Sequence, residues 1–367
     1  MKVLCDRERL REALSVVTSV IPLKSTRPAI ENVCLVASDD MLELVGTDLD
    51  VAVRYRVGDV KVEEPGTALV PARVTADFVR DLSGDTVRLR TKGDGFVIEG
   101  GAGERCELTT VDPDEFPVVA RFPEEGALAV QAGRFTRLVA RTGFAAAREA
   151  GRYAMHGILT ELEGDELRMI ATDGRRLVMA SAPAEQRAPG MKRAIVPTKG
   201  MQLFCKVVDD ASEIVRIHFG ENQFGLKTAK AEVYARLIDG EFPRYSAVIP
   251  ASTANTFEAD AQVLHQKLKL VANVTSADTR AVRLSITKDR LTIHGRSAAM
   301  GEAEAQLDVR FDGKPSDIAF NPDYLIDGLK NCEQPNVRFE FNEKNNPGKF
   351  TLGENYIYVV MPITIDS

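Results

Sequence analysis

The chain of 367 residues carries a formal net charge of -7, and 28% of its residues are charged, a composition typical of globular proteins that work in water. No apolar run is long enough to span a bilayer, and the first residues turn charged too early for a signal peptide. The five scattered cysteines form no CxxC pair, which predicts a reduced cytoplasmic setting rather than a disulfide framework. The acidic balance argues against binding nucleic acid through bulk positive charge, but it leaves room for one basic surface.

The first third of the chain alternates helices with short strands. Leu10, Leu14 and Val17 recur at the spacing of one buried helical face, which predicts a first helix from Asp6 to about Ile21. A second predicted helix covers Arg73–Leu82. Strands are predicted at Met1–Cys5, Asn32–Ala37, Leu42–Thr47, Val51–Val57, Thr86–Thr91, Phe96–Gly100 and Arg105–Val111.

The segment around the second helix occurs three times. Val70–Leu82, Val196–Val208 and Phe320–Cys332 each begin with the end of an apolar strand, continue with a proline and give about three turns of amphipathic helix. Proline suits the first helical turn, where its missing N–H costs nothing. A second marker, Leu42–Asp48, recurs 125 residues later as Leu167–Asp173. The period predicts three domains, at residues 1–120, 127–250 and 251–367.

The second and third repeats keep the order of elements of the first. Their first helices are predicted at Gly133–Ala147 and at 259–274, and their second helices follow Pro197 and Pro322. Strands are predicted at Gly126–Gln131, Gly157–Glu163, Leu167–Ala171, Ile214–Phe219, Gln223–Thr228 and Glu232–Leu237, then near Thr256 and at Val282–Thr287, Leu291–Gly295, Val337–Phe341, Lys349–Leu352 and Tyr356–Met361. Two helices packed on one side of antiparallel sheets in each repeat give an α+β fold class.

One helix has a strongly basic face. Arg134, Arg137, Arg141 and Arg148 lie at helical spacing in the second repeat, and the third repeat carries two lysines on its corresponding helix. A solvated charged face is the simpler interpretation of any one such helix. Three repeats arranged in an arc with these faces inward would instead form a concave basic surface, which suits a DNA duplex contacted through its phosphates.

Five motifs give the pattern a more specific meaning. They are Gly46–Asp50, Val70–Arg73, Ala171–Leu177, Asp239–Tyr245 and Tyr358–Ile363. In content and order the chain resembles the bacterial sliding clamp, the β subunit of DNA polymerase III. The resemblance implies the DNA clamp fold and a homodimeric ring of six similar domains around double-stranded DNA of any sequence. It also implies a processivity factor for DNA replication, without an active site, metal or cofactor.

The resemblance further implies three sets of functional residues. The peptide-binding pocket would comprise Met155, Thr172, Gly174, Arg175, Arg176, Leu177, Pro243, Val248, Val359, Val360, Met361, Pro362 and Ile363. The DNA-binding residues would be Lys24, Arg73, Arg152, Tyr153 and Lys199, to which helical phase adds Arg137 and Arg141. The dimer interface would join Arg105 and Leu108 to Asn273 and Val274. The pocket would accept short linear motifs of the replicative polymerase, the clamp loader and repair polymerases.

Two other classes of function stay open at this point. Asp48 and Asp173 occupy equivalent positions and could be the paired carboxylates of an enzyme, although Thr-Asp-Gly is common turn chemistry. Glu99–Gly103 is glycine-rich, but it lacks the Lys-Ser/Thr of a phosphate loop, so a hairpin turn is the better interpretation. A repeat scaffold that binds only proteins is the second alternative, and the basic helix of the second repeat argues against it.

Overall fold

The computed structural model describes residues 1–149, 151, 153–275, 280–343 and 345–364. The helices of these ranges are α1 (Arg7–Thr18), α2 (Ala72–Asp81), α3 (Ala132–Thr142), α4 (Thr198–Lys206), α5 (Ala261–Ala272) and α6 (Pro322–Lys330). Two helices fall in each repeat, as predicted. Asp6 caps α1 by accepting a hydrogen bond from the N–H of Arg9, and the predicted face of Leu10, Leu14 and Val17 is buried.

The prolines that mark the second helices do not all lie at the first helical position. Pro71 and Pro197 are the cap residues before α2 and α4, with ψ of 113° and 140°. Pro322 alone begins its helix, after Asn321, whose side chain accepts a hydrogen bond from the N–H of Asp323. The prediction that each proline occupies the first turn is therefore correct only for the third repeat.

The strands alternate with these helices throughout the chain. They are β1 (Lys2–Asp6), β2 (Asn32–Ser38), β3 (Met41–Thr47), β4 (Val51–Val57), β5 (Lys61–Glu64), β6 (Gly66–Pro71), β7 (Thr86–Lys92), β8 (Gly95–Gly100), β9 (Arg105–Thr109), β10 (Leu128–Gln131), β11 (Gly157–Glu163), β12 (Glu166–Thr172), β13 (Arg176–Pro183), β14 (Lys192–Pro197), β15 (Ile214–Phe219), β16 (Gln223–Lys227), β17 (Ala231–Arg236), β18 (Asn255–Asp260), β19 (Val282–Thr287), β20 (Arg290–Ser297), β21 (Gly301–Asp308), β22 (Arg310–Asp312), β23 (Ser316–Phe320), β24 (Asn336–Phe341), β25 (Gly348–Gly353) and β26 (Tyr356–Val360). Of these, β5, β13, β21 and β22 are additions to the predicted strands.

The chain divides into two compact units. The first unit contains Met1–Thr136 and Ala184–Leu237. One of its sheets has the order β5–β1–β7–β8–β9, and the other has the order β10–β15–β16–β17–β4–β3–β2–β6. In the larger sheet β4 of the first repeat pairs antiparallel with β17 of the second, with Ala52 opposite Tyr234. A continuous sheet therefore joins these two repeats.

The second unit contains Arg137–Pro183 and the chain from Ile238 onward. Its strands β11–β12–β13 continue into β26–β25–β24–β18–β22, and a separate sheet has the order β21–β20–β19–β23. Here β13 of the second repeat pairs antiparallel with β26 of the third, with Leu177 opposite Val359. The second and third repeats are thus joined in the same way as the first and second.

Helices pack closely on the sheets. A Cβ added to Gly46 on β3 would lie 2.6 Å from Val17 of α1, and one added to Gly295 on β20 would lie 2.7 Å from Val271 of α5. Glycine at these two corresponding positions permits the close approach of helix and strand. None of the helices in the described residues is long and apolar enough to cross a membrane.

Candidate functional site

The predicted pocket residues all belong to the second unit, and several of them lie in or beside the loop that leads from β12 into β13. The loop runs from Thr172 to Leu177, and the N–H of Met361 in the C-terminal tail donates a hydrogen bond of 2.9 Å to the carbonyl of Arg175. Met155 lies beside the loop, with its Sδ and Cε 4.0 Å from where a Cβ on Gly174 would stand. We call the predicted pocket residues the candidate groove.

Burial divides the candidate groove into a rim and a floor. Arg175 and Gly174 are exposed, and Met361 is 37% exposed. Met155, Pro243, Val248, Pro362 and Ile363 complete the rim as half-buried residues. Leu177, Val359, Val360 and Thr172 are buried, and we call these residues the floor. A ligand would therefore meet the rim first, and it would touch the valines of β26 only if rim side chains moved.

A hydrogen-bonded turn shapes the loop. The hydroxyl of Thr172 donates to the carbonyl of Arg176 (2.6 Å) and accepts from the N–H of Gly174 (3.1 Å). One carboxylate oxygen of Asp173 accepts from the N–H groups of Arg175 and Arg176. Gly174 has a φ of +86°, a conformation that glycine adopts without steric cost.

The side chain of Arg176 points away from solvent. It is 12% exposed. Its Nε donates to Asp173 (3.0 Å), its Nη1 to Asp327 of α6 (2.7 Å) and its Nη2 to the carbonyl of Phe144 (3.0 Å). Burial alone lowers the pKa of Arg176, but Tyr358 and the two aspartates outweigh it and raise that pKa. The predicted pocket residue Arg176 thus lies behind the loop, and Asp327 is a neighbour that sequence reasoning missed.

A second segment of the candidate groove is anchored by a buried carboxylate. Pro243 and Val248 flank Tyr245, whose hydroxyl donates to Glu161 of β11 at 2.7 Å. Burial, and then the hydrogen bond to Glu161, raise the pKa of Tyr245. The N–H of Ala154 also donates to the carbonyl of Glu241, so this segment is held beside Met155. Every predicted pocket residue therefore lies in the second unit.

The predicted DNA-binding residues belong to both units. In the first unit Lys24 and Arg73 are exposed, and Lys199 of α4 forms an ion pair with Asp48 while its side chain stays 56% exposed. In the second unit Arg137 is 67% exposed, with Glu333 at 4.0 Å. Tyr153 is 39% exposed. Arg152 lies outside the described residues.

Arg141 is a correction to the predicted DNA-binding set. Its side chain is 10% exposed and donates to Glu333 through Nε (2.9 Å) and Nη2 (2.5 Å). The guanidinium also lies over the ring of Tyr356. The hydrogen bond from Arg141 lowers the pKa of Glu333, against the effect of burial. Because its donors are used inside the unit, Arg141 has a structural role and is removed from the DNA-binding set.

The predicted interface residues lie on one edge strand of the first unit and beside an edge strand of the second, β21, on which α5 packs. Arg105 and Leu108 are on β9, the last strand of its sheet, and Arg105 pairs with Glu107 at 3.1 Å. Asn273 and Val274 follow α5, with Asn273 as its exposed cap residue. The separate sheet of the third repeat ends at β21.

The carboxylates of Asp48 and Asp173 have turn roles. Asp48 accepts hydrogen bonds from the N–H groups of Asp50 and Val51, as Asp173 does in its own loop. The two aspartates belong to different units. Among the described residues, no group of three or more His, Cys, Asp or Glu side chains could hold a metal ion. The carboxylates are thus accounted for by backbone hydrogen bonds.

Comparison with known proteins identifies the family. Models of the N-terminal, central and C-terminal domains of the DNA polymerase III beta subunit match residues 1–120, 129–244 and 246–364. The beta sliding clamp of Escherichia coli K12 is 31% identical over 368 residues and the whole of both chains, and that of Pseudomonas aeruginosa is 31% identical over 363 residues, 98% of this chain and 99% of that one. A P. aeruginosa sliding clamp solved with griselimycin bound is 30% identical, with a TM-score of 0.95 over all of both chains. The chain is therefore a member of the bacterial sliding-clamp family, the β subunits of DNA polymerase III, which are replication processivity factors and not enzymes.

Proposed function

We propose that the protein acts in the cytoplasm as a ring-shaped homodimer that encircles duplex DNA and tethers the replicative polymerase, the clamp loader and repair polymerases. The observation that carries the proposal is that two of the edge strands, β9 and β21, occupy repeat positions whose counterparts are paired inside the chain. In the described residues β9 pairs with β8 alone and β21 with β20 alone. The strands in the corresponding positions pair with each other at both junctions inside the chain. A second copy would complete this pattern head to tail, and two such seams close a ring.

The internal junctions predict the register of the seam. Glu232 lies opposite Arg54 where β17 meets β4. The same repeat positions on the free edges are Arg105 of β9 and Glu304 of β21, as judged from their pairing with β8 and β20. Opposite charges would therefore face each other across the seam, which supports the proposed pairing.

A charge exchange tests the register. Arg105→Glu should shift the protein toward monomers, because it places two carboxylates opposite each other. Adding Glu304→Arg to the same chain should restore the dimer. Sedimentation velocity over a range of protein concentrations measures both effects. A double variant that dissociates as readily as the single variant would contradict this register.

Salt distinguishes encirclement from ordinary DNA binding. Contacts between basic side chains and phosphates weaken steeply as salt rises. A closed ring loaded by a clamp loader on nicked circular duplex should remain at high salt and leave only after the DNA is linearised. Release from intact circles at moderate salt would exclude the ring.

We further propose that the candidate groove is the site where partner proteins bind. Apolar side chains with a few polar edges suit short linear motifs. The P. aeruginosa relative has been solved with griselimycin bound, which supports a ligand site on a sliding clamp. Met361→Ala should weaken griselimycin binding about tenfold, measured by calorimetry, with the dimer intact. Met191→Ala, which changes a methionine that is 56% exposed in the first unit, is the matched control. Equal affinity of both variants would refute the site.

A further inference from the structure

The hydrogen bonds of Arg176 join two repeats. Arg176 begins β13 in the second repeat, and Asp327 lies on α6 in the third. Besides its bond to Asp327, the guanidinium of Arg176 stacks over the ring of Tyr324, also on α6, with 4.9 Å to the ring centre. The carbonyl of Tyr324 in turn accepts a hydrogen bond from Tyr358 of β26. One face of α6 is therefore fixed to the back of the loop.

The loop connects Arg176 to Met361, which lies on the rim of the candidate groove. Arg176 follows Arg175, whose carbonyl accepts the hydrogen bond from the N–H of Met361. A shift of Arg176 would therefore move the acceptor that holds Met361. Asp327 itself is 47% exposed, and its carboxylate forms an ion pair with Arg176.

The first unit contains the same turn without an arginine. The hydroxyl of Thr47 donates to the carbonyl of Val51 and accepts from the N–H of Leu49. The carboxylate of Asp48 accepts from the N–H groups of Asp50 and Val51. Val51 stands where Arg176 stands in the second unit, and it is buried. The turn therefore forms without a guanidinium behind it, so the contacts of Arg176 have another role.

We propose that Asp327 is a positioning residue of the candidate groove, which acts through Arg176 so that helix α6 of the third repeat sets the shape of a binding loop in the second. This inference rests on the proposed function of the groove. Asp327 does not contact the ligand in this arrangement. It keeps the loop and Met361 in the geometry that a ligand needs, as supporting residues do around binding sites.

Asp327→Ala tests the proposal with griselimycin as the probe. The variant should bind griselimycin about three- to tenfold more weakly, measured by calorimetry on the full-length protein. Asp327→Glu retains a carboxylate and should bind within about twofold of the unmodified protein. Asp323→Ala is the matched control, because Asp323 lies on the same helix and pairs with Arg280 instead, at 2.7 Å.

Hydrogen exchange locates the effect within the chain. In Asp327→Ala, the amides of Arg175 and Arg176 should exchange faster, because the loop loses one of its anchors. The amides of Asp50 and Val51 form the same turn in the first unit and should not change. Increased exchange in both loops would show general loosening and would overturn a positioning role.

The binding data separate this inference from the proposed groove. If Met361→Ala weakens binding while Asp327→Ala does not, Asp327 has no positioning role and the groove stands. If neither variant weakens binding, the groove itself is wrong. If Asp327→Glu and Asp323→Ala weaken binding as much as Asp327→Ala, the effect is not specific to the contact with Arg176, and the inference is wrong.

Discussion

The loops Thr47–Val51 and Thr172–Arg176 have the same backbone geometry and different surroundings. In each loop a threonine hydroxyl and an aspartate carboxylate form the same set of hydrogen bonds. Leu49 and Gly174 have φ values of +80° and +86° at the third position. Two residues thus make the hydrogen bonds of the turn, and the third position takes a left-handed conformation with either Leu or Gly.

The two turns differ in the ion-pair partner of their aspartate and in the side chain at their fifth position. In the first unit Asp48 pairs with the exposed Lys199, and the fifth residue, Val51, packs into the core. In the second unit Asp173 pairs with the largely buried Arg176, which also bonds to α6. The same turn is therefore held by solvent-exposed charge in one junction and by a buried network in the other.

The largest expected loss of stability comes from Arg176, and it should far exceed the loss from Lys199, the cation that pairs with Asp48. Arg176→Met should destabilise the protein by about 2–3 kcal/mol, because it removes the charge-assisted hydrogen bonds of a largely buried guanidinium and the donor to the carbonyl of Phe144. Lys199→Met should cost about 0.5 kcal/mol or less, since an exposed ion pair contributes little. Chemical denaturation measures both. Equal losses would mean that burial does not distinguish the two junctions.

Removing the threonine hydroxyl should destabilise the protein by a similar amount in either turn. Thr47→Val and Thr172→Val each remove a buried hydroxyl that makes two hydrogen bonds, so each should cost about 1–2 kcal/mol. The change in amide exchange should be confined to the mutated loop. A loss in one loop more than twice that in the other would show that the two turns are not energetically equivalent.

The ion pair between Arg141 and Glu333 predicts a dependence on pH. Because Arg141 lowers the pKa of Glu333 below its ordinary value of 4.5, the pair stabilises the folded protein above that value, and the stabilisation is lost as pH falls through the lowered pKa. Glu333→Gln should therefore cost about 1 kcal/mol at pH 7 and less at each step below pH 4.5, as seen in denaturation curves. A difference that does not change with pH would contradict the assignment.

The smallest effect is expected at the third loop position. Leu49→Gly removes the cost of a left-handed conformation in the folded protein, but it also raises the conformational entropy of the unfolded chain. The two effects oppose each other, so the free energy of unfolding should change by about 0.5 kcal/mol or less. Gly174→Leu should cost about 1 kcal/mol and should weaken griselimycin binding, because its side chain would grow beside Met155. Thermal unfolding and calorimetry provide the measurements, and a stabilising Gly174→Leu would contradict the comparison.

Much of the fold was predictable because the repeats carry strong local signals. The helical spacing of Leu10, Leu14 and Val17 and the regular return of the proline segments give the helices and their number. Strand β13 was missed because its burial pattern does not alternate regularly. Pro71 is a cap residue rather than the first helical residue because of its ψ angle, which residue type alone does not determine.

The candidate site was less predictable because its contacts are distant in sequence. Helical phase places Arg141 on a basic face, but it cannot show that Glu333, 192 residues away, would bury it. Asp327 has no motif of its own, and its importance emerges only from its contact with Arg176, 151 residues away. By contrast, the resemblance already included both segments of the candidate groove, whose role in binding stays a prediction.

The free edges of β9 and β21 have a consequence for how the protein behaves in solution. A single copy presents unpaired backbone N–H and C=O groups along both strands, which is the usual starting point for uncontrolled strand association. Arg105 and Glu107 on one edge, and Glu302 and Glu304 on the other, oppose that by repelling strands of the wrong charge pattern. If the proposed dimer forms, weakening its seam should lower solubility as well as dimer content, so the amount of protein lost by precipitation is a measure of how well these edges are protected.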